Sequence, residues 1–299
     1  RYLIAAVPFC FAWLAICRLL TASAGQINSL YFADLVGAGV GAMGVPFLLH
    51  GVGAPATIVG ACALGAFSGV LFAAPGKRAV GSVLVAALVG LAGFVQLRDP
   101  WPVQPPISKP LRKSAQKIDH TRWSLHARID VLEAKRQAAT FGSGVSTRLY
   151  KQPFEFRIVY MDGSNPSRLV RWDQDRWFLD KLLSATHYAV ATPEPEGLVI
   201  GCGARLDTMV ARHHGAKHVT AVEINPATVD LVRNEYADYI GNLFDDEDIT
   251  LLAREGRHFL TLDDGRYDVI RLTGVDTSAA AAAAANALDH AYVYTVEAM

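Results

Sequence analysis

Charge is distributed so unevenly along this 299-residue chain that its two ends cannot fold by the same rules. Of 28 basic and 28 acidic residues, residues 1–97 hold four basic side chains (Arg1, Arg18, Lys77, Arg78) and one acid, Asp34; the remaining 24 and 27 all follow Leu97. The hydrophobic share of 52% is therefore an average over two unlike parts. Segments 3–20, 30–49, 54–74 and 79–97 each approach the roughly 20 apolar residues that carry a helix across a bilayer. A cleaved signal peptide would not be followed by three more such segments. Gly37 with Gly41, and Gly65 with Gly69, have the four-residue spacing at which small residues let helix backbones approach in lipid, so a packed bundle is predicted. Asp34 lies near the start of its segment, where it can reach the headgroups or favour the positive helix end. A transport or relay role is the alternative.

The chain from Arg98 onward reads as an ordinary water-facing domain with a slight acidic excess, and nothing in it favours nucleic acid, which wants a basic patch. Lys77 and Arg78 flank the last apolar segment on one side; Arg98, Lys109, Arg112, Lys113 and Lys117 follow it on the other. The larger cluster places the water-facing part in the cytoplasm. Cys10, Cys17, Cys62 and Cys202 form no CxxC pair or zinc spacing and are expected to be buried free thiols. His213 and His214 are neighbours on a predicted helix, share no face, and are expected to be surface residues, with no metal.

Five prolines between Asp99 and Pro110 predict a stiff connector, with no helix before about Ser114. Residues 147–159 and 168–171 alternate as strands around Asp162-Gly163, a strong hairpin signal. Trp172, Trp177 and Phe178 follow and are expected in a core. The pattern then becomes strand (198–200), glycine loop, helix to about His214, strand (219–222), helix to about Tyr236, strand (249–252) and strand (267–272). Such alternation implies a parallel sheet with right-handed crossovers.

The glycine loop Gly201-Cys202-Gly203-Ala204-Arg205-Leu206-Asp207 follows one strand, and Glu223 ends the next, 22 residues after Gly201. That pairing marks a nucleotide at the carboxyl ends of parallel strands. Gly201 and Gly203 let backbone approach the ligand, and Glu223 can accept both ribose hydroxyls. The third fingerprint glycine is missing. This disfavours a pyrophosphate cradle and suits an adenosyl sulfonium, which has no phosphate. Glu255-Gly256-Arg257 falls where an adenine edge would lie. Asp207 can balance a sulfonium or ammonium charge or serve simply as a first-turn helix acid. Asp268 is expected to order a loop, Asp276 to meet a substrate amine at the catalytic rim, and the alanine run 279–285 to be helical.

Residues 198–203, the block Gly215-Ala216-Lys217-His218-Val219-Thr220-Ala221-Val222-Glu223-Ile224-Asn225-Pro226, Glu255-Gly256-Arg257 with Phe259-Leu260, Tyr267-Asp268-Val269-Ile270 and residues 292–299 resemble the spermidine synthase (polyamine aminopropyltransferase) family. Residues 30–39 resemble its bacterial multi-spanning membrane-attached relatives. The resemblance implies transfer of an aminopropyl group from decarboxylated S-adenosylmethionine to a diamine such as putrescine. It also implies ribose binding by Glu223, a contact of Glu255 near the adenine, and residence in the bacterial inner membrane as a multi-pass protein. Two family aspartates are replaced. The one that follows the glycine loop is Ala204 here, leaving Asp207 as a substitute. The first of the Asp-Ser-Ser/Thr-Asp-Pro pattern is Thr273, with the second kept as Asp276. An alkylammonium must lose a proton before it attacks, and threonine is no base near pH 7.

The expected fold class is an N-terminal α-helical transmembrane bundle (residues 1–97, about four spans), a linker (98–122), a small β-rich subdomain (123–190) and an α/β Rossmann-like domain of the S-adenosylmethionine-dependent methyltransferase type (191–299). Arg1 in place of Met and an unfinished last domain predict that both ends are trimmed. Three functions are compatible with this reading. The first is a membrane-bound spermidine synthase-like transferase using decarboxylated S-adenosylmethionine or S-adenosylmethionine. The second is a methyltransferase on a small or lipid-associated acceptor. The third is a non-catalytic nucleotide-sensing membrane or transport protein. Expected partners are a small-molecule amine acceptor and the lipid bilayer; association into homo-oligomers is left open.

Overall fold

The computed structural model describes residues 2–72, 75–98, 109–114, 116–137, 153–204 and 206–272. Thr273, Asp276, the alanine run 279–285, residues 292–299, residues 147–152, Arg205 and most of the proline-rich connector lie outside the described residues. The chain divides into two compact units, Arg1–Arg98 and Asp99–Met299.

The first unit consists of α1 (Tyr2–Ala22), α2 (Ile27–Phe72) and α3 (Pro75–Arg98). Its apolar side chains point outward: Phe9, Phe47 and Phe72 are 77%, 78% and 81% exposed. Among the described residues, Ile27–Phe72 and Pro75–Phe94 are long and apolar enough to cross a membrane. The two predicted segments 30–49 and 54–74 therefore share one 46-residue helix. They are divided at Gly53, whose backbone leaves the helical region (φ 75°, ψ 167°). Pro55, which has no N–H to donate, follows two residues later, and the Thr57 hydroxyl donates to the Gly53 carbonyl at 2.8 Å.

The predicted glycine contacts differ from those observed. A Cβ added at Gly37, Gly41, Gly65 or Gly69 would meet no atom within 4 Å, whereas at Gly81 it would lie 2.6 Å from Val70 Cγ2. Close approach is thus made between α2 and α3 at Gly81, and not at Gly37, Gly41, Gly65 or Gly69 among the described residues. Three of the four cysteines, Cys10, Cys17 and Cys62, are likewise exposed rather than buried, because they lie on these outward faces.

The second unit begins with a helical turn, α4 (Pro110–Lys113), earlier than predicted because proline is well tolerated at the first helical position. An antiparallel sheet follows: β1 (Ile118–Trp123), β2 (Arg128–Leu132), β3 (Lys135–Gln137), β4 (Phe154–Met161) and β5 (Ser164–Val170). It starts at Ile118, inside the stretch read as linker. β4 pairs with β2, β3 and β5. The β2 and β3 registers run on along one edge of β4 with a single-residue shift, so those two strands lie end to end. Asp162 and Gly163, with φ of 49° and 71°, close the β4–β5 hairpin as a two-residue turn of the kind that twisted strands favour.

The parallel sheet contains β6 (Glu196–Ile200), β7 (His218–Glu223), β8 (Ile249–Ala253) and β9 (Val269–Leu272) in the order β8-β7-β6-β9. Strand order reverses beside β6, and such switch points leave a crevice at the carboxyl ends of the strands. α5 (Ala185–Val190) precedes β6, α6 (Leu206–His213) joins β6 to β7, α7 (Pro226–Asp230) follows β7, and α8 (Gly256–Leu262) follows β8. Asn225 caps α7, its side chain accepting from the Ala227 N–H at 3.1 Å, with Pro226 at the first helical position. α7 then widens into a π-helical turn, Leu231–Glu235.

One buried core joins the two sheets: Ile129, Phe156 and Leu169 pack in the same cluster as Val199, Met209 and Leu231. Phe178 belongs to it, stacked on Phe154 with ring centroids 4.7 Å apart. Because strand side chains alternate in direction, Leu198 and Ile200 form a second cluster with Val222 and Phe259 of α8. The Arg157 guanidinium sits over both Tyr236 and Tyr239, at 5.3 and 5.2 Å, and pairs with Asp119.

Candidate functional site

The loop that leaves β6 is fixed from three directions. Gly201 N–H and Cys202 N–H both donate to the Val222 carbonyl, at 2.8 and 3.2 Å, tying the loop to β7. Gly203 N–H donates to Glu223 Oε2 at 2.9 Å. Ala204 N–H donates to the Ser167 hydroxyl at 3.0 Å, so the antiparallel sheet supports the glycine loop. Gly203 has φ of +52°, and a Cβ there would stand 3.1 Å from Ser167 Oγ. A side chain at this position would be strained by its backbone and would press on Ser167.

Glu223 is 4% exposed at the carboxyl end of β7. Its other oxygen, Oε1, accepts from Asn225 N–H at 2.9 Å. Burial pushes the carboxyl above its ordinary 4.5, and the N–H groups of Asn225, Gly203 and Ile224 pull it back only in part. Both oxygens accept backbone N–H groups, and the acceptor capacity that remains on the carboxylate can meet an incoming hydroxyl. A vicinal diol suits that arrangement. Cys202, between the two glycines, is buried. That burial, with Glu223 and Asp207 nearby, raises its thiol well above the usual range, so it is protonated and unreactive.

Asp207, in the first turn of α6, is 8% exposed and pairs with Arg271 of β9 at 2.9 Å. Sequence reasoning missed Arg271, although a cation within an otherwise apolar strand was the available signal. Ser167 was missed as well, and here no signal existed, since it reaches the loop from the other sheet. Beside the pair lies the buried Tyr188 hydroxyl, pushed up to about 12 chiefly by burial.

Glu255 is exposed and caps α8, accepting from Arg257 and His258 N–H groups at 2.9 and 2.6 Å. Its neighbour Gly256 is buried. Arg254 N–H donates to the Glu223 carbonyl at 3.0 Å, which holds the end of β8 against the end of β7. Asp268 accepts from Glu196 N–H at 2.9 Å and orders the entry to β9. The structure thus brings Gly201, Gly203 and Glu223 into one constellation with Asp207 close by, and sets Glu255 and Gly256 at the tip of the adjacent strand. Asp276 lies outside the described residues.

No family model matches the chain. A polyamine aminopropyltransferase of Pectobacterium carotovorum subsp. carotovorum (strain PC1) is 33% identical over 61 residues, 20% of this chain and 21% of its own length. Another, from Serratia proteamaculans (strain 568), is 23% identical over 123 residues, 41% of this chain and 42% of its own. The chain therefore spans less than half the length of the curated relatives it matches. Among solved structures, spermidine synthase from Thermotoga maritima shares 18% identity, with a TM-score of 0.37 over 55% of this chain and 50% of that one. A spermidine synthase in complex with the transition-state analogue AdoDATO shares 17%, with a TM-score of 0.33 over 57% and 55%.

Proposed function

We propose that the chain is a membrane-attached, spermidine synthase-like transferase that binds an adenosyl nucleotide at the carboxyl rim of its parallel sheet. One observation carries the reading: a buried carboxylate, Glu223, is held at a strand end against the glycine loop by backbone N–H groups. The similarity to polyamine aminopropyltransferases supports the same class of substrate. In the proposed reaction an amine nitrogen attacks the propyl carbon bonded to sulfur, the carbon–sulfur bond breaks, and its electron pair stays on sulfur as methylthioadenosine leaves. The amine proton passes to a base, and Asp276 is the candidate that meets the amine. The outward apolar faces of α1 to α3 support attachment to a bilayer, and the basic cluster after Leu97 favours a cytoplasmic water-facing unit.

A second reading, methyl transfer, is favoured by the Asp207–Arg271 pair. Asp207 already has a cation partner, which leaves it less able to hold the lone ammonium of a decarboxylated nucleotide. The zwitterionic end of S-adenosylmethionine matches the pair better, ammonium to Asp207 and carboxylate to Arg271. Thr273 in place of a family base points the same way. Product analysis separates the readings. Incubation with decarboxylated S-adenosylmethionine and putrescine should release methylthioadenosine. Release of S-adenosylhomocysteine from S-adenosylmethionine, with the methyl group recovered on an added amine or lipid acceptor, would establish methyl transfer instead.

A further inference from the structure

Away from the glycine loop, at the far end of α6, three side chains with metal-ligand chemistry converge. Asp180 belongs to the 3₁₀ turn Leu179–Lys181, which is anchored by the buried Leu179. His213 is the last residue of α6, and His214 precedes Gly215, whose φ of +80° ends the helix. Successive helical residues diverge by about 100° around the axis, which is why the sequence sets these histidines apart. The facing turn lies between them. His213 Nε2 is 3.0 Å and His214 Nε2 3.7 Å from the same oxygen, Asp180 Oδ1. One ligand atom from each of the three lies within 4.8 Å of the others.

We infer that Asp180, His213 and His214 bind a divalent first-row transition metal of the zinc class. Ligand bonds of about 2.0–2.2 Å in a tetrahedron place neighbouring donors roughly 3.3–3.6 Å apart, and the observed 3.0 and 3.7 Å bracket that edge. Two imidazoles and one carboxylate suit zinc, cobalt or nickel better than magnesium or calcium, which prefer oxygen. A simple His213–Asp180 ion pair would account for the shorter contact only. It leaves His214 Nε2 buried without a hydrogen-bond partner among the described residues, and a buried polar nitrogen of that kind is costly. The His214 ring is held parallel to that of Tyr188, with centroids 6.0 Å apart, so its nitrogen is aimed rather than free to swing. A metal here would clip the segment leading from the antiparallel sheet to the end of the helix whose first turn carries Asp207. The inference does not depend on the nucleotide reading.

The test is zinc titration of the full-length, chelator-treated protein by calorimetry, with cobalt as a spectroscopic probe. One equivalent of zinc should bind, and cobalt should give d–d bands without thiolate charge transfer. Asp180→Asn, His213→Gln and His214→Gln should each weaken binding at least tenfold. Zinc should raise the melting temperature of the wild type and not of Asp180→Asn. Asp180 is half exposed on a turn, so this variant keeps the test independent of folding. Absence of zinc binding, thiolate bands in the cobalt spectrum, or unchanged affinity in all three variants would overturn the inference.

Discussion

At the scale of the residue, Glu223 is a carboxyl group held where carboxylates are costly. Burial raises the Glu223 pKa above its ordinary 4.5, which fixes the sign of a pH effect. A folded pKa above the unfolded one means that the folded state binds the extra proton. The stability this confers is full below the unfolded pKa and is lost as pH rises through the folded one. The stability advantage of the wild type over Glu223→Ala should therefore be largest near or below pH 4.5 and shrink upward. Melting curves of both proteins across pH 4–8 measure it, and an advantage that grows with pH would contradict the burial argument. Asp276→Asn should cut turnover while leaving nucleotide affinity nearly unchanged; single-turnover kinetics with direct binding would separate this from equal loss of both.

At the scale of the element, two glycines stand where only glycine fits. Gly203→Ala should destabilise the fold by about 1–2 kcal/mol through its left-handed backbone and weaken nucleotide binding as the loop shifts off Ser167. Gly241 is the harsher case, with φ of +70° and an added Cβ only 2.2 Å from Trp172 Cγ. Gly241→Ala should cost about 2–4 kcal/mol, since the indole must move as well; chemical denaturation of both variants checks the ranking. The parallel strands were legible because each is a short apolar run bounded by turn residues. The hairpin was legible because Asp-Gly demands positive φ twice. β1 was not, since Ile118-Asp119-His120-Thr121-Arg122-Trp123 shows no apolar alternation and is held instead by its pairing with β2 and by Asp119 meeting Arg157 and Tyr236. The same limit applies at the site. Gly203 and Glu223 are close in a local pattern, whereas Ser167, the pairing of Arg271 with Asp207 and the meeting of Asp180 with two histidines arise from tertiary packing that no spacing encodes.

At the scale of the whole molecule, the chain joins a unit with apolar helix faces to a unit built on a parallel sheet with a strand-order switch point. The protein should stay in the membrane fraction through alkaline extraction. Protease should reach the residues after Arg98 in inverted vesicles but not in right-side-out ones; cleavage in right-side-out vesicles would reverse the orientation. The most direct test of the central claim is calorimetric titration of the full-length protein in detergent with decarboxylated S-adenosylmethionine and with S-adenosylmethionine, alongside folded Glu223→Ala. The wild type should bind one of the two nucleotides. The variant should lose about 3 kcal/mol, roughly a hundredfold in Kd, as two hydrogen bonds to a charged acceptor disappear. Preference for the decarboxylated form supports aminopropyl transfer, and preference for S-adenosylmethionine supports methyl transfer. Equal affinity of wild type and variant, or a folded wild type that binds neither, would contradict the site built on Glu223.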